Sequence, residues 1–152
     1  NIRIDDFCIL SGNIKLGSYI HISAYTCLIG GVKGIILQDF VTVSSRCAVY
    51  AVSDDFSGEQ LNNSMIPTAY RSVIEGRVIL EDYVSVGTGS TILPGVKLEE
   101  GAAVGAMSFV KHTLEGWKIY AGAPCRYVKD RNQNMKQLRA VLQNSGEYEE
   151  SR

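Results

Sequence analysis

Two adjacent carboxylates, Asp54 and Asp55, open a polar stretch that reads SDDFSGE over residues 53–59. Such a pair attracts an ammonium group and orients it through charge-assisted hydrogen bonds. An unperturbed aspartate, pKa about 3.9, is a poor base for an alcohol at neutral pH, whereas a histidine near 6.5 is well placed. The chain carries two histidines, His21 and His112. Four cations, Lys111, Arg126, Lys129 and Arg131, gather toward the C-terminal end, where they suit phosphate groups. At Gly30 and Gly31 the lack of side chains would let backbone N–H groups approach a developing oxyanion. The cysteines, Cys8, Cys27, Cys47 and Cys125, lie far apart without a CxxC pair. They suggest no zinc site and no disulfide framework, and reduced thiols in a cytosol fit this usage.

The frame that must position these groups is set by a repeat. From Leu80, aliphatic residues recur at every sixth position: Leu80, Val86, Ile92, Leu98, Val104 and Val110. The same beat runs through Ile4, Leu10, Leu16, Ile22 and Leu28, and it resumes, shifted by three, at Leu37, Val43 and Val49. Four places after each aliphatic stands a small or aliphatic residue, among them Cys8, Thr26, Val32, Val84, Ser90 and Ser108. Neither a helical nor a two-residue period produces this pattern. A period of six means a short extended segment and a turn, with one large side chain per unit pointing inward, which is a parallel β-helix. Gly17, Gly87 and Gly105 directly follow inward aliphatics, where their freedom would suit tight corners. Cys8 and Cys47 fall in small inward slots, so packing accounts for them.

Composition narrows the partners. The 152 residues make one domain's worth of chain, and 15 basic against 16 acidic side chains give a net charge of -1. No broad field is available for nucleic acid or an anionic membrane, so an anionic ligand must meet a local cluster. No apolar run is long enough for membrane insertion, and no signal-peptide pattern opens the chain. The first residue is Asn1, and with the beat already running by Ile4, further sequence upstream is expected.

The beat breaks twice. GGVKG at 30–34 adds three residues, and a longer interruption runs from 53 to about 74. Extra residues in a solenoid must leave on one face, and such faces commonly bind ligands. If the short insertion bulges outward, Leu16 stacks under Leu37, Ile22 under Val43 and Leu28 under Val49. His21 and Asp54 then leave from different faces and can meet only across a subunit boundary.

The repeats, together with the closing YAGAPCRYVKDR at 120–131, resemble the hexapeptide-repeat acyltransferases. That resemblance implies an all-β, left-handed parallel β-helix, a homotrimer, and acyl-coenzyme A bound in clefts between subunits. It divides the chain into a β-helix domain at 1–128, with the loop at about 53–74, and a C-terminal helix and tail at 129–152. In many members a catalytic histidine follows a segment such as 49–53, whereas this chain has Asp54 there. An amine acceptor removes the need for a strong base, because a neutral amine is already a competent nucleophile toward a thioester. SDDFSGE, with HISAYTCLIGG at 21–31 before it, looks like the branch that acylates nucleotide-linked amino sugars.

The resemblance therefore implies transfer of an acetyl or short acyl group from acetyl-CoA or another acyl-CoA to a sugar amine, for surface polysaccharide synthesis in the cytoplasm. His21 and Asp54 are the residues expected at the chemistry, and Asp54, Asp55, Gly30 and Gly31 those expected around the acceptor. Gly87, Thr88, Gly105 and Ala106 match places where the pantetheine arm runs along the backbone. Lys111, Arg126, Lys129 and Arg131 are expected at the coenzyme phosphates. Two alternatives stand beside this reading: a sugar O-acetyltransferase with His21 as general base, and a non-catalytic trimeric scaffold. Met135, Leu138 and Leu142 predict one face of a short helix that caps the open end of the solenoid or packs on a neighbour. The final SGEYEESR is polar and expected to fray.

Overall fold

Short strands, most of two or three residues and carrying inward aliphatics, alternate with turns to wind the chain into a three-sided parallel β-helix. The structure, a computed structural model, describes residues 1–145. One face stacks Ile2–Ile4, Ile20–Ile22, Thr42–Val43, Ser85–Val86, Ala103–Val104 and Lys118–Ala121. A second face stacks the start of Ile9–Leu16, the start of Cys27–Leu37, Ala48–Tyr50, Thr91–Ile92 and Phe109–Val110. The third takes the later parts of Ile9–Leu16 and Cys27–Leu37, then Val78–Leu80 and Lys97–Leu98.

Register follows the aliphatic beat. Leu80 lies opposite Leu98, and 98 − 80 = 18 residues make one turn of the solenoid. Leu16 pairs with Leu37, Ile22 with Val43 and Leu28 with Val49, as expected if GGVKG bulges outward. The bulge leaves Val32 76% exposed, and Ile35, fully buried, takes the inward slot that the simple beat assigned to Val32. The core is a stack of aliphatic layers that includes Ile22, Leu28, Val43, Val49, Leu80, Ile92 and Leu98. Burying each such side chain contributes about 1.5–3 kcal/mol before ordering costs.

Beside this stack runs a column of small polar side chains. Cys8, Thr26, Cys47, Ser90 and Ser108 donate to the carbonyls of Ser23, Ser44, Gly87, Gly105 and Gly105 respectively. Each satisfies a corner carbonyl that the ladder does not reach, which is why small donors rather than aliphatics fill these slots. Burial pushes the Cys47 thiol up from its ordinary pKa.

The corners are made differently from the expectation. Gly17, Gly87 and Gly105 are not among the residues with positive φ, whereas Tyr19, Phe40, Tyr83 and Trp117 hold φ between 52° and 63°. A left-handed conformation costs a side-chain-bearing residue about 1–2 kcal/mol. Here the four rings form a ladder along one edge, with successive centroids 5.0, 5.4 and 5.7 Å apart. Each ring contact returns about 0.5–1.5 kcal/mol, so the edge tolerates its backbone. Gly87 is required for another reason: a Cβ there would come within 2.5 Å of the Ala106 amide in the next coil.

The C-terminal helix, Asn134–Asn144, lies along the aromatic edge and does not cap the solenoid's end. Arg139 bonds Asp39 at 3.1 Å and Asp82 at 2.8 Å, two residues from successive coils, and lies over the rings of Phe40 and Tyr83. Lys136 pairs with Glu100 one coil further on and covers Trp117. Met135, Leu138 and Leu142 face the same edge. Most of the expected polar tail, residues 146–152, lies outside the described residues. Among the described residues no helix is long and apolar enough to cross a membrane.

Candidate functional site

The long interruption is a hairpin rooted on one corner. The chain leaves the second face after Ala48–Tyr50, and Val52–Asp54 pairs antiparallel with Val73–Glu75. The Gly76 amide donates to the Ala51 carbonyl at 3.0 Å, closing the base of the excursion. Asp54 stands opposite Val73 in this ladder. Side chains alternate across a pleat, so Val52, Asp54 and Phe56 share a side with Arg71 and Val73. That side lines a recess of about 530 Å³ whose floor comes from Ile29, Tyr50 and Leu93 of the solenoid, with Ser53 and Ser64 at its margins.

The two acids divide their work. Asp54 lines the recess. Asp55 does not line it, and its Oδ1 accepts from the Ser57 amide at 2.8 Å, which shapes the turn that follows. The recess also contains residues not anticipated from the sequence: Tyr50, Phe56, Arg71 and Leu93. The i, i+2 spacing of 52, 54 and 56 was the available signal for Phe56. Arg71 and Leu93 arrive through hairpin register and through coil stacking, which depend on where the excursion returns.

Gly30 and Gly31 sit at the root of this site, directly after Ile29. Gly31 has φ +51°, and a Cβ on it would lie 2.8 Å from Cγ1 of Val52. A Cβ on Gly30 would run into the Asn13 carbonyl of the preceding coil. Close approach of coil and hairpin thus accounts for both glycines without a ligand. A separate recess of about 380 Å³ beside the bulge is lined in part by Asn13, Lys15, Lys33 and Arg77.

His21 lies on the first face and does not line the Asp54 recess. Its Nε2 is 2.9 Å from Oδ2 of Asp5, and Asp5 also accepts from Nε of Arg3 at 2.7 Å. These bonds, that from Arg3 first, hold the Asp5 carboxyl below its ordinary value. His112 is exposed.

On the opposite corner, between the first and second faces, the backbone is pinned from within. Gly87 N donates to Val104 O at 2.7 Å and Met107 N to Thr88 O at 2.8 Å, while Cys47 and Ser108 hold the carbonyls of Gly87 and Gly105 from inside. Gly87, Thr88, Gly105 and Ala106 thus belong to one corner of two stacked coils. Lys111, Arg126 and Lys129 are exposed. Arg126 and Lys129 lie on Arg126–Asp130, which pairs antiparallel with Lys118–Ala121. Arg131 differs: it donates to Tyr83 O, Gly101 O and Ser85 Oγ at 2.8–3.1 Å. Burial lowers its pKa. The guanidinium ties the C-terminal segment to two successive coils, a structural task at a residue expected from the sequence to meet phosphate.

No family model matches the chain. It is 36% identical over 148 residues to a dTDP-4-amino-4,6-dideoxy-D-glucose acyltransferase of Escherichia coli, covering 95% of this chain and 77% of that protein. It also resembles AntD, an N-acyltransferase from Bacillus cereus. A crystal structure of an AntD variant with dTDP-4-amino-4,6-dideoxyglucose and coenzyme A superposes with a TM-score of 0.94 at 50% identity, covering 95% of this chain and 78% of that one. AntD with dTDP and 3-hydroxybutyryl-CoA gives the same TM-score at 49% identity, over 97% and 79% of the two chains.

Proposed function

This chain belongs to the hexapeptide-repeat acyltransferases, and on that premise we propose that it moves an acyl group from acyl-coenzyme A to the amine of a nucleotide-linked amino sugar. The observation that carries the acceptor class is Asp54, a carboxylate placed by hairpin register in an aromatic-lined recess where a base-bearing relative would need a histidine. AntD has been solved with a serine replaced and, in other variants, with an aspartate ten positions further on replaced. Ser44 and Asp54 have that separation here, as do Ser45 and Asp55.

Asp54 attracts the ammonium form of the acceptor and holds the nitrogen after it has released a proton to solvent. The neutral amine then attacks the thioester carbonyl. A carbon–nitrogen bond forms, the carbon–sulfur bond breaks, and the departing coenzyme A thiol carries away a proton from the nitrogen. Placement is the main contribution, with an upper range of about 7–11 kcal/mol for ideal orientation. The coenzyme side is assigned to the Gly87–Thr88 and Gly105–Ala106 corner, with Lys111, Arg126 and Lys129 near its phosphates. His21 and the Asp54 recess leave from different faces, so the complete site requires a neighbouring copy, and a homotrimer supplies one. Synthesis of a surface polysaccharide precursor in the cytoplasm fits such an acceptor.

A second reading has its own observation. The His21–Asp5 contact resembles a histidine oriented by a carboxylate, the arrangement a general base for a hydroxyl acceptor would use. Coenzyme A release assays with matched amino and hydroxyl sugars separate the two. Faster turnover of a hydroxyl acceptor would overturn the amine assignment. Asp54→Asn should raise the acceptor KM at least tenfold and leave coenzyme A affinity unchanged, and equal loss of both would make the hairpin a structural element.

A further inference from the structure

Resting on the nucleotide-sugar reading, we infer that Arg71 holds the diphosphate of the acceptor, so that the recess recognises a ligand carrying an ammonium at one end and a diphosphate at the other. Arg71 and Asp54 lie on the same side of the hairpin. Asp54 is opposite Val73, and Arg71 precedes Val73 by two residues. The ladder continues at least one step in that direction, because the Asp55 amide donates to the Ser72 carbonyl at 3.3 Å. Diagonal neighbours of this kind are about 7–8 Å apart. Those are the roots of the two side chains, and a pyranose projects its 4-amino and anomeric substituents from opposite ends, within reach of a short carboxylate arm and a longer guanidinium arm.

The guanidinium is steadied rather than spent. Its Nη1 donates to the Asn63 carbonyl at 3.2 Å, within the same loop. The remaining N–H groups are the donors a diphosphate needs, and their planar fork matches two phosphate oxygens at once. Arg71 is the cation among the residues lining the recess. Phe56, 78% exposed at the rim, and Tyr50 on the floor add apolar faces for the uncharged parts of the ligand. Opposite charges toward the two ends of one sugar would also confer selectivity: a free amino sugar satisfies Asp54 alone, and a nucleotide without the amine satisfies Arg71 alone.

The test compares dTDP binding by calorimetry with turnover of two acceptors, a dTDP-linked 4-amino-4,6-dideoxyglucose and the methyl glycoside of the same sugar. Arg71→Gln should weaken dTDP binding at least tenfold and raise the KM of the nucleotide-linked acceptor similarly. Turnover of the phosphate-free glycoside should fall far less than that of the nucleotide-linked acceptor. Arg71→Lys, which keeps the charge but not the fork, should recover part of the loss. If Arg71→Gln binds dTDP like the unaltered enzyme, or loses both acceptors equally, Arg71 only shapes the loop and the inference fails. If the unaltered enzyme itself binds no dTDP and prefers no nucleotide-linked amine, the acceptor reading fails first and takes this inference with it.

Discussion

Replacing Gly87 with alanine separates packing from ligand binding at the proposed coenzyme corner. An added Cβ would lie 2.5 Å from Ala106 N, 2.7 Å from Gly105 C and 2.8 Å from Val104 O, all backbone atoms of the next coil. Ordinary contact begins at 3.4 Å, so 3.4 − 2.5 = 0.9 Å of separation must be opened between two coils. Overpacking of this kind costs about 1–3 kcal/mol. The same movement weakens two rung hydrogen bonds, Gly87 N to Val104 O and Met107 N to Thr88 O, worth about 0.5–1.5 kcal/mol each. The sum, roughly 2–6 kcal/mol, corresponds to a melting temperature lower by about 4–24 °C for a chain of this size. Differential scanning calorimetry at fixed protein concentration measures it. Gly105→Ala should cost less, since its Cβ would meet a side-chain carbon, Ala121 Cβ, at 3.0 Å. Gly58→Ala serves as a control: with φ +86° and nothing within 4 Å, it bears only the left-handed backbone cost of about 1–2 kcal/mol. A Gly87→Ala enzyme that melts with the unaltered protein but needs more acyl-coenzyme A would refute the packing argument and assign the glycine to the ligand.

Other expectations follow from the same structure. Arg139→Met removes two partly buried ion pairs and two ring contacts that hold a helix with no buried residue of its own, a loss of about 2–4 kcal/mol. Hydrogen exchange within Asn134–Asn144 should accelerate roughly 30- to 900-fold while the solenoid keeps its protection, and unchanged helix exchange would count against the strap. Asp5, held below 3.8 by Arg3 and His21, binds its proton less readily in the folded than in the unfolded state. Its stabilising contribution is therefore complete above the unfolded pKa and is lost as pH falls through the lower folded value. Asp5→Asn should flatten the acid limb of the stability curve below about pH 4. An NMR titration placing the native Asp5 carboxyl at or above 3.8 would contradict this.

Much of the frame was legible because the solenoid converts sequence rhythm directly into space. The pairing of Leu16 with Leu37 and of Leu28 with Val49 needed only a count of residues and the assumption that GGVKG bulges. The corners were harder to read. A glycine after an aliphatic signals freedom at sequence level, yet Gly87 answers to a neighbour 18 or so residues away, while Tyr83 and Phe40 accept the left-handed backbone for the sake of stacking. The helix was legible as an amphipathic segment, but its resting place was not. Asp39, Asp82 and Glu100 become one acidic edge only once the coils are stacked. Asp54 stood out through its position after Ala48–Tyr50, whereas Arg71 entered the site through antiparallel pairing across an excursion that has no period to count.

The closure between Ala51 and Gly76 gives the hairpin a property of its own. Because departure and return are joined at the root, by the Gly76 amide and by the ladder of Val52–Asp54 with Val73–Glu75, the coils above and below can keep their register whatever the length of the segment beyond it. If the proposed acceptor recess is correct, grafting a different segment between those two points should change acceptor preference without disturbing the proposed coenzyme corner. On that reading, the solenoid is a fixed mount and the excursion a replaceable part.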